Sequence, residues 1–258
     1  MIKIEKNFSD VPSILSSDNR KEAFQGNLAS NSYSDAKNLY KVGSVQKRLN
    51  EVYHLKCGYC EKPLLDTPKH IEHYRPKKMY YWLAYSWDNL LLSCGECNSA
   101  KSDKFEVENT NISYKDEHFD NIHHLGNNYD LLEKPLIINP EKENILEKIS
   151  FTSKGKIETK DIRVQHTIET CNLNRESLCR LREEILVDFI EEMEAHYLYF
   201  QEKKDTSRFI PTVQQFLKNC HIENKFYAFR CYVIQNIELF FDEVVLQKVT
   251  TSIIKKLK

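Results

Sequence analysis

The stretch Cys57-Gly58-Tyr59-Cys60, repeated in form as Cys94-Gly95-Glu96-Cys97, determines how the centre of this chain folds. Two Cys-x-x-Cys pairs can place four thiolates tetrahedrally around one zinc ion. Such a closed site is structural, because no ligand position is left open for water. The alternative is a thiol redox protein that uses one of the pairs, and tight zinc in all four thiolates would exclude it.

A second signal lies between the cysteine pairs, in the stretch His70-Ile71-Glu72-His73-Tyr74-Arg75-Pro76-Lys77. Glu72 directly precedes His73, and adjacent side chains on a regular strand point to opposite faces. The two can therefore share a site only near an irregular strand end. Pro76 supplies a reason for the strand to stop there.

A third signal follows the second cysteine pair, where Cys97-Asn98-Ser99-Ala100-Lys101 continues the chain. In a helix that starts near Cys94, Asn98 and Lys101 lie three residues apart on one face. Cys94 and Cys97 have the same spacing and would face the zinc. Oxygen ligands such as Glu72 and Asn98 suit a hard cation, magnesium or manganese.

The order Cys-x-x-Cys, Glu-His, Asn-Leu, Cys-x-x-Cys-Asn-x-x-Lys resembles the HNH endonucleases and their ββα-metal fold. The resemblance implies that His73 is the general base and that Glu72 and Asn98 bind the catalytic Mg²⁺ or Mn²⁺. It also implies that Asn89 orders a loop and helps to orient His73. The chain departs from the common pattern at two positions, with Glu72 where Asp is more usual and Asn98 where His is more usual.

The stretches 71–77, 87–90 and 97–101 look like the HNH subunit of Septu-type antiphage systems, a subunit type that also accompanies some retron defence systems. This resemblance implies that the chain cleaves DNA together with an ABC/SMC-like ATPase subunit. In the retron versions, a reverse transcriptase with its RNA–DNA product is added. The sequence has no Walker-type glycine-rich loop, so ATP would bind to another subunit.

Further candidates for the site have simpler alternatives. His70 could be a third metal contact, or a polar strand residue that orients a ligand. Some basic residues are candidate phosphate contacts, although each alone is also typical of ordinary surface charge; they are Arg75, Lys77 and Lys101, with Lys78 and Lys104 beside them.

The composition limits how the chain can bind nucleic acid. The 258 residues carry a formal net charge of −1, whereas proteins that hold nucleic acid by charge alone are strongly basic. We therefore expect weak binding by the isolated chain. A non-catalytic zinc adaptor that binds nucleic acid or protein is the alternative function, and the combination of Glu72, His73, Asn89 and Asn98 argues against it, since a scaffold needs only the cysteines.

The sequence also predicts the compartment. The first residues are too polar for a signal peptide, and no apolar run reaches the ~18 residues of a membrane helix. We expect a soluble cytoplasmic protein in which the eight cysteines stay reduced or bind metal. Cys171, Cys179, Cys220 and Cys231 are outside the two pairs and are predicted to be small core residues.

The predicted fold class is α+β, predominantly helical, with a small zinc-stapled ββα-metal module embedded among helices. Leu136–Pro140 and Ile149–Thr152 predict short strands, and the apolar steps 178–200 and 226–244 predict core-facing helices. The predicted segments are an N-terminal helical segment at 1–53, the zinc-bound HNH module at 54–105, a loop and short-strand extension at 106–166, and a C-terminal helical region at 167–258.

Overall fold

Two antiparallel strands and a short helix form the centre of the first of two units. In the computed structural model, which describes residues 3–257, strand β1 (Lys69–His73) pairs with strand β2 (Leu90–Cys94), and helix α3 (Gly95–Lys101) follows directly. The register places His73 opposite Leu90. Strand β2 is buried along its whole length. This is the predicted ββα arrangement among helices, and the predicted fold class is confirmed.

The first unit extends to Ile145 and also includes Lys160–Leu173. Helix α2 (Gly43–Val52) of this unit, whose buried residues are Val45 and Leu49, packs against the buried strand β2. The other α-helices of the unit, besides α3, are α1 (Asp18–Ser30), α4 (Gly126–Glu133) and α5 (Ile162–Thr170). The division into four structural segments at 1–53, 54–105, 106–166 and 167–258 stays a prediction.

A fully buried ion pair joins the N-terminal segment to the turn before β2. Lys6 Nζ lies 2.9 Å from Glu141 Oε1, and both side chains are 0% exposed. The same ammonium donates to the carbonyls of Trp87 and Leu90 at 2.6 and 2.7 Å. The Tyr53 hydroxyl donates to Glu141 at 2.5 Å. Because buried charges need such partners, this cluster fixes the backbone that leads into β2.

The stretch Leu136–Pro140 was predicted as a strand, and this prediction is wrong, since no strand is assigned there in the described chain. Its backbone groups instead bond to groups scattered over the first unit. Tyr74 donates to the carbonyl of Ile137 at 2.8 Å, and the amide of Ile138 donates to Thr167 Oγ1 at 2.8 Å. The stretch is apolar because it is buried. A short apolar run in a sequence does not show whether the buried segment also pairs as a strand.

The second unit contains Leu146–Thr159 and the chain from Asn174 onward. Strands β3 (Ser150–Phe151) and β4 (Ile157–Glu158) form the short hairpin expected near 149–152. Gly155 in its turn has φ +68°, and a Cβ there would lie 2.4 Å from the carbonyl oxygen of Cys179. The helices of this unit are α6 (Glu176–Lys203), α7 (Phe209–Asn219), α8 (Tyr227–Gln235) and α9 (Val244–Leu257).

The apolar steps 226–244 were predicted as one helix, and the structure divides them. Helix α8 ends before Asn236, whose φ of −133° and ψ of 47° are not helical. A 3-10 turn at Ile237–Leu239 follows, and α9 starts only at Val244, which is 54% exposed. Phe229 and Phe240 are both buried. The periodicity persists across the break because the separate pieces contribute to one core.

Only one of the four remaining cysteines is a fully buried core residue as predicted. Cys171 is buried, whereas Cys179, Cys220 and Cys231 are half-buried. Among the described residues, no helix combines the length and the apolar character that crossing a membrane requires.

Candidate functional site

The four paired cysteines come together in one buried cluster. The Sγ atoms of Cys57, Cys60, Cys94 and Cys97 all lie within 4.8 Å of one another, and Cys60 and Cys94 are 3.8 Å apart. The first pair lies in a tight turn whose Gly58 amide donates to the carbonyl of Leu92 at 2.9 Å. The second pair opens α3, where the amide of Cys97 donates to Cys94 Sγ at 3.4 Å.

The cluster has the dimensions of a zinc site. A tetrahedron with Zn–S bonds of about 2.3 Å requires S···S distances of roughly 3.8 Å, which is the separation seen between Cys60 and Cys94. A disulfide would require about 2.05 Å, and none of the four is in one. The donor set therefore suits zinc, which would join the loop before β1 to the start of α3.

Beside the cysteine cluster, β1 and α3 border a polar cavity of about 450 Å³. The cavity brings together residues that the sequence predicted for one site, with strand residues on one side and Asn98 of α3 on the other. Those that line it are His70, Glu72, His73, Lys77 and Asn98. His73 is the last residue of β1, which fits the prediction that Glu72 and His73 share a site at a strand end.

His73 is buried, and its ring has a fixed orientation. The Nε2 atom lies 3.0 Å from the carbonyl oxygen of Ala84. Because a carbonyl only accepts, Nε2 carries the proton and Nδ1 is left as the proton acceptor. Burial lowers the pKa of His73 to about 3, and the hydrogen bond to Ala84 opposes this. The imidazole is therefore neutral near pH 7, with Nδ1 unprotonated.

Glu72 is 6% exposed and forms an ion pair inside the protein. Lys101 Nζ lies 2.7 Å from Glu72 Oε1 and donates to the carbonyl of His73 at 2.8 Å. Burial raises the pKa of Glu72, and the charge of Lys101 opposes that shift. The Lys101 side chain is 0% exposed, so the prediction that it contacts substrate is wrong. Lys101 instead fixes the Glu72–His73 segment by binding the Glu72 carboxylate and the His73 carbonyl inside the protein.

Asn89 connects the two ends of the loop between β1 and β2. Its Oδ1 accepts from the amide of Arg75 at 2.7 Å, and its Nδ2 donates to the carbonyls of Arg75 and Leu83 at 3.0 and 3.2 Å. Ala84, whose carbonyl accepts from His73, follows Leu83 directly. These contacts match the loop-ordering role that the resemblance implied for Asn89, and they reach His73 through the backbone.

Arg75 was predicted to contact substrate, and its placement contradicts that prediction. The side chain is 2% exposed and donates to Glu133 at 2.8 Å and to Asp130 at 2.6 Å. The guanidinium can be buried because the carboxylates of Asp130 and Glu133 compensate its charge, whereas an isolated buried charge would be costly. Arg75 therefore anchors the loop to α4 and does not reach the cavity.

Three other polar residues have contacts that bear on the cavity. Lys77 is half-buried and donates to the hydroxyl of Tyr40 at 3.1 Å. The Nε2 atom of His70 lies 3.3 Å from the position that a Cβ on Gly95 would take, so the ring packs against the start of α3. His70 shares the cavity with Glu72, so its predicted roles as a third metal contact or as a residue that orients a ligand both stay predictions. Tyr40 was missed, since an isolated Tyr outside the motif carries no sequence signal.

Comparisons with known proteins agree with this geometry. Residues 57–104 match the family model of the HNH endonucleases. The chain is 33% identical over 166 residues to the Septu protein PtuB of Bacillus mycoides (strain KBAB4), covering 58% of this chain and 53% of that protein. It is 25% identical over 158 residues to the Septu protein PtuA of the same strain, covering 56% of this chain and 21% of that protein.

The chain thus spans about half the length of PtuB and about a fifth of that of PtuA. The resemblance to the HNH endonucleases and to the Septu proteins, predicted from the motifs, is confirmed.

Proposed function

We propose that this chain is a metal-dependent endonuclease that hydrolyses phosphodiester bonds in DNA, because residues 57–104 match the family model of the HNH endonucleases. The observation that carries the proposal is the cavity in which Glu72, His73 and Asn98 meet. A purely structural zinc module would need the four cysteines but not a carboxylate, a neutral imidazole and an amide around one space.

His73 acts as the general base in this proposal. Its Nε2–H is held by the carbonyl of Ala84, so Nδ1 takes the proton from the attacking water. Positioned base catalysis contributes roughly 10²–10⁴-fold to the rate. Asn89 holds the loop that carries the Ala84 carbonyl in place through its hydrogen bonds. Lys101 holds the Glu72 side chain in place through their ion pair.

The oxygen donors of the cavity suit a hard cation. Glu72 and Asn98 would hold Mg²⁺ or Mn²⁺, with His70 as a third contact or as an orienting neighbour. The bound cation would neutralise charge that grows on the phosphate and on the leaving oxygen. Lys101 Nζ lies 2.7 Å from Glu72 Oε1 and fixes the position of this carboxylate. The carboxylate in turn would determine where the cation binds.

The substrate is delivered by partners in this proposal. A chain with a net charge of −1 has little general affinity for DNA. The similarity to PtuA and PtuB supports a place in a multi-subunit antiphage system. We propose an ABC/SMC-like ATPase as the partner subunit, with a reverse transcriptase and its RNA–DNA product in a retron-type system, acting in the cytoplasm.

The test is cleavage of plasmid DNA by the wild type and by His73→Ala, with Mg²⁺, with Mn²⁺ and with EDTA. It is run on the chain alone and with the products of its genomic neighbours. We expect divalent-cation-dependent cleavage that His73→Ala reduces by roughly 10²-fold or more, and His118→Ala, an exposed histidine, serves as the matched control. A metal-loaded, folded wild type that cleaves no DNA under any of these conditions would favour the non-catalytic adaptor.

A further inference from the structure

Two residues from outside the HNH segment, Tyr40 and Lys41, line the cavity. Tyr40 precedes the matched residues 57–104 and is 2% exposed, yet its side chain lines the same space as Glu72 and His73. It belongs to the segment between α1 and α2. The cavity is therefore not built by the ββα module alone.

Tyr40 packs against the imidazole of His73. The two ring centroids are 4.5 Å apart and the planes meet at 74°, an edge-to-face contact. Such contacts have a preferred geometry and restrict rotation of both rings. The Ala84 carbonyl fixes one nitrogen of His73, and Tyr40 limits the tilt that this single hydrogen bond would still allow.

The same tyrosine positions a cation. The Tyr40 hydroxyl accepts from Lys77 Nζ at 3.1 Å, and that ammonium lies 5.0 Å from the ring centroid of Tyr33 and 5.2 Å from that of Tyr40. Between residues 3 and 257, no carboxylate forms an ion pair with Lys77, whereas the neighbouring Lys78 lies 3.9 Å from Asp103. The Lys77 ammonium therefore lines the cavity without an ion-pair partner and is placed to contact an anion that enters it.

We propose that Tyr40 is a positioning residue that sets the orientation of the His73 imidazole with its ring and the place of the Lys77 ammonium with its hydroxyl, so that both act on the same backbone phosphate. This inference rests on the proposed nuclease function. It assigns to the N-terminal segment a part in catalysis that the HNH motif does not include.

Two substitutions separate the two contacts. Tyr40→Phe keeps the ring and removes the hydroxyl, so KM should rise by roughly three- to tenfold, the value of one hydrogen bond, with kcat unchanged. Tyr40→Leu removes the ring as well, so kcat per folded molecule should fall by about tenfold or more, because the base is misaligned. Tyr85→Phe is the matched control, since its hydroxyl donates to Asp35 at 2.7 Å outside the cavity.

A double substitution tests whether the hydroxyl acts through the lysine. In a Lys77→Met background, Tyr40→Phe should change KM no further. If Tyr40→Phe and Tyr40→Leu both leave kcat and KM per folded molecule at wild-type values, the role of Tyr40 is structural and the inference is overturned. The same holds if the effects of Tyr40→Phe and Lys77→Met simply add.

An activity-independent readout separates this inference from the proposed function. The His73 ring resonance, identified by its loss in His73→Ala, senses the ring current of Tyr40 at 4.5 Å. We expect it near its wild-type shift in Tyr40→Phe and displaced in Tyr40→Leu. An unmoved resonance in folded Tyr40→Leu overturns the orienting contact even if the wild type cleaves DNA. A displaced resonance with an inactive wild type retains the contact and rejects the nuclease.

Discussion

Replacing Lys101 by Met tests how the cavity holds its carboxylate. The ammonium of Lys101 is 0% exposed, lies 2.7 Å from Glu72 Oε1 and donates to the carbonyl of His73 at 2.8 Å. In protein to which no Mg²⁺ or Mn²⁺ has been added, Lys101→Met leaves the buried carboxylate of Glu72 without its cation. Breaking a buried pair on one side costs about 3–5 kcal/mol, so the first unit should lose about that much free energy of unfolding.

The double substitution Glu72→Gln/Lys101→Met should be more stable than Lys101→Met alone. It removes both charges and leaves only the His73 carbonyl without its donor, which costs about 1–2 kcal/mol. Urea unfolding followed by tryptophan fluorescence measures this, because the two tryptophans, Trp82 and Trp87, both lie in the first unit. Both variants should lose divalent-dependent cleavage, the double variant despite its recovered stability.

The reasoning fails if Lys101→Met costs less than about 1 kcal/mol, since a buried pair broken on one side should cost several times more. It also fails if the double variant is as unstable as the sum of the two single variants. Either result would mean that Glu72 and Lys101 are not coupled, and that the lysine does not hold the carboxylate in place.

Three further predictions concern other parts of the first unit. Cys60→Ser should lower the zinc content measured by mass spectrometry well below the roughly one ion per chain expected of a Cys₄ site, whereas the control Cys220→Ser should keep it. Asn89→Ala should reduce cleavage while zinc content stays unchanged, because Asn89 bonds to the loop and not to the metal cluster; equal activity would remove it from the site. His123 has a pKa lowered by burial to about 4, with Nδ1 accepting from the amide of Trp87 at 3.0 Å. Since the unfolded chain binds a proton near pH 6.5 and the folded chain does not, stability is full above pH 6.5 and falls by about 2 kcal/mol by pH 5. His123→Asn should reduce that loss in urea titrations at the two pH values, and an unchanged pH dependence would contradict it.

The sequence predicted the parts of the site that depend on spacing. The spacing of the two cysteine pairs predicted a zinc site, and the resemblance to the HNH endonucleases implied the two strands and the helix beside it. The strand end at His73 could also be expected from Pro76. These local rules need no knowledge of the rest of the chain.

The residues that the sequence misplaced are those whose role depends on distant partners. Lys101 and Arg75 were predicted to contact phosphate, yet each is buried with carboxylates that come from β1 or α4. Nothing in a sequence distinguishes a lysine that meets solvent from one that meets Glu72 inside the fold. Tyr40 and the Lys6–Glu141 pair were missed for the same reason, since their partners lie 33 or more positions away along the chain.

The central claim is that one divalent cation binds between Glu72 and Asn98, next to His73, while a separate zinc ion occupies the four cysteines. Crystals of the zinc-loaded protein soaked in Mn²⁺ test it directly, with anomalous scattering recorded at the zinc and manganese edges. The account predicts a zinc peak among the four Sγ atoms and a manganese peak in the cavity in contact with both oxygen donors. Manganese found only elsewhere, or the four cysteines paired as disulfides, would contradict it.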